Sequence, residues 1–152
     1  MRKLFALPVL MLLLLLSLPA AAEMTTIGKF YVDVPEGWIV TAHDTGFNLT
    51  APDGKCAAGV NIRNTTERDS LSFASTMSQV MGGSIPRKVP GSSAFVFLAT
   101  MEGIQTENVV HVLDGQVLLF TITGDGEPYL EELNLISATM NSSVPEYAKM
   151  FK

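Results

Sequence analysis

Cys56 is the only thiol in this 152-residue chain, and His43 and His111 are its only imidazoles. A cysteine attacks as its thiolate and needs a base within hydrogen-bond reach. These three side chains therefore define one possible chemistry, a cysteine-dependent hydrolase or transferase using Cys56 with a histidine. The setting of Cys56 favours another reading. It opens a strand-like apolar run, whereas nucleophiles favour strained turns and helix N-termini, so a buried structural cysteine is expected. In an exported protein it could also bridge two molecules.

The other candidates reduce to turn chemistry. His43-Asp44 could begin a metal site or an acid–base pair. Adjacent residues rarely converge on one ion, however, and no His-x-x-x-His or Glu-x-x-His spacing occurs. Two histidines exclude a three-histidine zinc site, and His111, between Val110 and Val112, reads as a satisfied sheet histidine. Asp53-Gly54, Asp114-Gly115 and Asp125-Gly126 lack the alternating oxygen ligands of calcium loops. Gly124-Asp125-Gly126 precedes a helix, but Asp125 and Glu127 would repel an anion there. There is no Gly-x-Ser-x-Gly, phosphate loop or dinucleotide fingerprint. Asn48, Asn64 and Asn141 begin glycosylation sequons, which are read as chance matches in a bacterial-looking chain. No catalytic, cofactor-binding or metal residue is assigned, and no cofactor is expected.

The elements that would position these residues follow from periodicity. Residues 29–34 alternate, with Phe30, Val32 and Val34 on one side, as in a half-buried strand. Pro35-Glu36-Gly37 breaks the strand, and Trp38 to Thr41 resume it, with Trp38 expected to anchor the sheet end to a helix. Residues 47–51 and 56–63 flank the hairpin signal Pro52-Asp53-Gly54-Lys55. A helix follows, capped by Asp69 or Ser70, with Leu71, Ala74, Met77 or Ser78, and Met81 on its apolar face. Gly82-Gly83 ends it. Residues 84–93 contain Pro86, Pro90 and Gly91 and read mainly as a loop. Three meander strands come next, residues 94–101, 105–113 and 116–123. The first and third are apolar nearly throughout, which predicts burial on both faces. Pro128 suits the first turn of a last helix carrying Leu130, Leu133, Ile136 or Ser137, and Met140. The methionines after residue 22 are read as core filling. Residues 146–152 are expected to form a loose tail, with Tyr147, Met150 and Phe151 able to dock.

The order β-β-β-β-α-β-β-β-α, with hairpin turns, predicts an α+β fold. Its antiparallel β-sheet carries one helix on each face, or both helices on one face and a second strand layer behind.

The chain opens Met1-Arg2-Lys3, runs apolar over residues 4–18 and reaches Ala20-Ala21-Ala22 before Glu23. Those are the n-region, h-region and cleavage site of a signal peptide. The expectation is export to the periplasm or beyond, with cleavage between Ala22 and Glu23 and no membrane span afterwards. One domain over residues 23–145 would follow. Apolar residues are 47% of the whole chain, but the leader inflates that figure. Removing Arg2 and Lys3 with the leader moves the formal net charge from −5 to −7. With Arg87-Lys88 the only adjacent basic pair, nucleic acid is disfavoured as a partner.

The run Phe30-Tyr31-Val32-Asp33-Val34-Pro35-Glu36-Gly37-Trp38 resembles the opening of the PsbP-like superfamily. Leu49-Thr50-Ala51-Pro52-Asp53-Gly54 resembles its second hairpin, and the meander before a C-terminal helix is similar too. The resemblance covers residues 27–141 and implies an α/β/α sandwich around an antiparallel sheet. It also implies a protein that acts by binding. The functional expectation is an exported, non-enzymatic envelope domain that binds a partner protein or small ligand, with the loop over residues 82–93 as the surface to watch. A further expectation is an assembly or envelope-stress accessory that docks through residues 147–152.

Overall fold

The computed structural model describes residues 23–152. The predicted leader and its cleavage bond to Ala22 lie outside the described residues.

Among the described residues ten strands and three α-helices form two antiparallel sheets and two cores. A small sheet has the order β1-β2-β10, from Glu23–Ile27, Phe30–Val34 and Asn141–Ser142. The large sheet has the order β3-β4-β5-β9-β8-β7-β6. Its strands are β3 Ile39–His43, β4 Gly46–Thr50, β5 Cys56–Asn64, β6 Arg87–Lys88, β7 Phe95–Met101, β8 Ile104–Leu113 and β9 Gln116–Gly124. Helix α1 is Ser70–Met81, α2 is Leu130–Thr139 and α3 is the short turn Pro145–Ala148. The α+β antiparallel class expected from the hairpins is what the chain adopts. Of the two layer arrangements the first holds, with one helix on each face; the helices do not share a face, although the small sheet does add a second strand layer beside α2.

Strand alternation divides the large sheet cleanly. On β5 the even residues Cys56, Ala58, Val60 and Ile62 are buried. They share a core with Phe30 and Val32 of the small sheet, Phe47 and Leu49 of β4, and Leu133 and Ile136 of α2. We call this the inner face. Phe30 meets Phe47 edge-on, ring centroids 5.5 Å apart, a geometry aromatic quadrupoles favour. The outer face carries a smaller core, where Phe73 and Ala74 of α1 cover Phe97, Ala99, Val110 and Val117.

Helix α1 is bounded as its residues dictate. The Asp69 carboxylate accepts from the Ser72 N–H at 2.8 Å, and Gly82 takes the left-handed conformation at φ 63°. Its buried face keeps the expected Ala74 and Ser78 but departs from the expectation at its start. Leu71 is exposed, while Phe73, Ser70 and Ser78 are buried. The two serines face inward because each has a partner. Ser70 Oγ accepts from the Val112 N–H at 2.8 Å, and the Ser78 hydroxyl donates to the Ser84 carbonyl at 2.6 Å. Those bonds rotate the helix so that Phe73, rather than Leu71, meets the sheet.

Three short strands were not anticipated. β1 pairs with β2 from Glu23↔Val34 onward. β10 follows α2 and pairs Ser142 with Phe30. β6 lies within the segment expected to be loop, where Arg87 and Lys88 pair with Val96 and Phe95 of β7. All three are too short or too polar to show alternation. Their backbones satisfy a sheet edge that would otherwise lack partners.

The C-terminal residues are not a loose tail. Met150 is buried, and Tyr147 and Phe151 pack their rings on Phe30 at 6.2 and 6.4 Å. The aromatic ring of Phe30 offers them more apolar contact than water does.

Candidate apolar trough

Strand register separates the predicted nucleophile from both bases. Cys56 pairs with Gly124 on β9, while His111 pairs with Leu118, six residues further along the same strand. At about 3.4 Å per residue that is roughly 20 Å. His43 pairs with Gly46, which pairs with Asn61, five residues beyond Cys56 on β5. The offset there is roughly 17 Å along the strand direction. Direct thiol–imidazole pairing needs about 3 Å, so neither histidine can serve Cys56.

Each of these residues has a local structural account. Cys56 is buried, and burial pushes its thiol pKa up, with the Asp125 and Asp53 carboxylates adding to the effect. The thiol is therefore held protonated, the reverse of what a nucleophile needs. His111 uses both ring nitrogens. Nδ1 lies 2.9 Å from the Met150 carbonyl, which can only accept, so Nδ1 carries the proton. Nε2 then accepts from the Ser93 hydroxyl at 2.9 Å. His43 Nδ1 lies 3.3 Å from the Thr45 hydroxyl within its own turn. No group of three His, Cys, Asp or Glu side chains that could hold a metal occurs among the described residues.

At the Cys56 end of the sheet the turns interlock. Trp38 stands edge-on to Tyr129 at 5.8 Å, which is the helix-side anchoring expected of it. The Asp53 carboxylate accepts from the Tyr129 hydroxyl, and that bond pushes the tyrosine pKa up to about 12. The same hydroxyl, helped by the Lys55 N–H at 3.0 Å, holds Asp53 below the ordinary carboxylate value.

The feature that could bind something lies on the inner face beyond α2. The small sheet, α2 and the C-terminal turn at Met150 cover β4, β5, part of β9 and the His111 end of β8, but among the described residues no layer lies over the inner face of β7 and the rest of β8. The result is a trough of about 820 Å³. Antiparallel register lays out its floor. Val96, Val109 and Phe120 form one row across the strands, and Leu98, Glu107 and Ile122 form the next. Leu130 and Leu133 of α2 make one wall, and Val89 and Pro90 make the other. Leu130, at the rim, is 58% exposed. The expectation of cover on both faces holds over most of β9, where Val117 on the outer face and Leu118 and Phe120 on the inner face are buried, and is corrected for β7. The outer residues Phe97, Ala99 and Val117 are buried, while Val96, Leu98 and Ile122 are only half-buried.

The loop singled out over residues 82–93 supplies the Val89–Pro90 wall, and its backbone holds it in place. Ser84 donates its N–H to the Leu98 carbonyl at 2.7 Å and accepts from the Leu98 N–H through its hydroxyl at 2.9 Å. The Val89 N–H donates to the Ala94 carbonyl at 2.9 Å. Gly124 closes the end of the trough with φ 87°, and a Cβ there would run into the Lys55 carbonyl. The floor residues themselves were missed. Their signal was present, since two strands apolar on both faces need more cover than the two predicted helices supply.

Comparison with known proteins supports the fold alone. No family model matches the chain, and no curated protein matches it. Among solved structures it is similar to a protein from Bacteroides thetaiotaomicron VPI-5482, whose crystal structure was determined at 1.50 Å. Identity is 12% and the TM-score 0.51, over 82% of this chain and 50% of that one. The chain thus spans about half the length of the Bacteroides protein. It is also similar to the solution structure of cyanobacterial PsbP from Synechocystis sp. PCC 6803. There identity is 9% and the TM-score 0.49, over 81% of this chain and 94% of that one. Among the described residues no helix is long and apolar enough to cross a membrane.

Proposed function

We propose that the chain is an exported, non-catalytic domain that takes an apolar small molecule into the trough between α2 and β7–β9. The uncovered apolar floor carries this reading. Val96, Leu98, Val109 and Ile122 occupy positions where threonine or lysine would serve a purely solvent-facing sheet, and the part of their apolar surface left open in the trough gains nothing from folding. The trough's volume suits a small ligand, for which about 300–1,000 Å³ is usual. Seventeen residues line it, fewer than the roughly 20–30 a standard protein interface recruits on each side. A partner protein is therefore the weaker fit. Export rests on the leader sequence, and non-catalytic action on the separation of Cys56 from both histidines.

The test is fluorescence titration of residues 23–152 with the uncharged dye N-phenyl-1-naphthylamine. Saturable uptake at one site is expected, lost in Leu98→Asn when that variant keeps its melting temperature. Absence of saturable uptake, or equal uptake by a folded Leu98→Asn, overturns the proposal.

A further inference from the structure

The apolar floor contains one charge, and the register places it centrally. Glu107 on β8 lies between Leu98 of β7 and Ile122 of β9, with Val109 two residues along on the same face. Its carboxylate is exposed into the trough. Asp125 and Glu127 stand at the end where β9 leaves the sheet. Among the described residues lining the trough none is lysine, arginine or histidine, and the nearest cation on that face by register is Arg87, paired with Val96 at the β6 edge. β8 is a central strand, so Glu107 is not a charge placed to blunt a sheet edge.

From this charge pattern we infer that the trough selects organic cations with an apolar body, such as alkylammonium compounds. The inference rests on the ligand-binding reading and adds the charge of the ligand to it. An ammonium seated over Glu107 keeps its alkyl or aromatic groups on Leu98, Ile122, Val109 and Phe120. An anion in the same place meets the like charge of Glu107 and is repelled by it. An uncharged body of the same size makes the apolar contacts and gains nothing from the carboxylate.

The measurement is calorimetric titration of residues 23–152 below micellar concentrations, using decyltrimethylammonium, decyl sulfate and uncharged decyl maltoside. The wild type is expected to bind the cation at least about tenfold more tightly than the anion. Glu107→Gln preserves shape at an exposed position and should leave the melting temperature unchanged. It should narrow the cation preference several-fold. The triple variant Glu107→Gln, Asp125→Asn, Glu127→Gln should abolish it. Equal binding of cation and anion by the wild type, or an unaltered preference in both variants, overturns the charge selection while dye uptake persists. Failure of the wild type to take up the dye overturns the ligand-binding reading itself.

Discussion

The inner face of the large sheet is finished differently on its two sides. Over β4 and β5 the small sheet and α2 close a core in which Phe47, Leu49 and Ile136 are wholly buried. Over β7 and the Glu107 end of β8 no described residue lies on top, and residues of the same types, Val96, Leu98 and Val109, are only partly buried. Strand pairing is continuous through both halves, so backbone hydrogen bonding does not account for the difference. The open half loses burial free energy, about 25 cal/mol for each Å² of apolar surface left in water. Stability gives no reason for the apolar surface that stays open over β7 and β8, whereas the proposed binding would.

The sharpest way to break this comparison is to truncate one residue from each half. Phe47→Ala should cost about 3–5 kcal/mol, because a fully buried ring leaves a cavity its neighbours cannot fill. Leu98→Ala, on the open floor, should cost about 1 kcal/mol or less, since water already reaches it. Urea denaturation of both variants gives the two values. Should they prove equal, the trough is covered in solution and the contrast fails.

A smaller effect sharpens the boundary between the halves. Cys56 belongs to the covered side, and burial holds its thiol protonated. Reaction with a disulfide reagent at neutral pH should run more than about a hundredfold slower in the folded protein than in urea. Filling the trough with apolar dye should not alter the folded rate. If dye protects Cys56 further, the two compartments communicate.

The covered half was legible in the sequence and the open half was not. Period-two alternation in Phe30-Tyr31-Val32 and in residues 56–63 marks single buried faces, and the structure keeps them. Asp69 and Gly82 mark both ends of α1 because a cap is a local interaction. The rotation of α1 was hidden, since it depends on Ser70 finding the Val112 N–H 42 residues away. The trough was hidden for a related reason. An apolar strand reads alike whether its second face meets a helix or stands open, and only the layer count separates the two. Glu107 carries little signal in sequence, because a lone acid in a strand is ordinary. Its meaning comes from Leu98 and Ile122 on the neighbouring strands.

The smallest expected effect separates the stability of the fold from the state of the trough, using acid. Asp69, at the start of α1, and Asp53, in the turn beside Tyr129, both titrate below the ordinary aspartate value of 3.8. The Ser72 N–H chiefly holds Asp69 down, and the Tyr129 hydroxyl chiefly holds Asp53 down. Between their folded values and about 3.8 the unfolded chain binds more protons than the folded one. The stability they confer is therefore complete above that window and is lost as pH falls through it. Asp69→Asn keeps a cap oxygen but cannot titrate, so its melting temperature at pH 7 should stay near that of the wild type and fall less steeply below pH 4. Asp69→Ala loses the cap at every pH and should melt a few degrees lower throughout. Both variants should still take up N-phenyl-1-naphthylamine at pH 7 with wild-type affinity, because α1 covers the outer face and touches none of the trough. Weakened uptake in the alanine variant would mean that α1 shapes the open half through the sheet, and that the two faces are coupled.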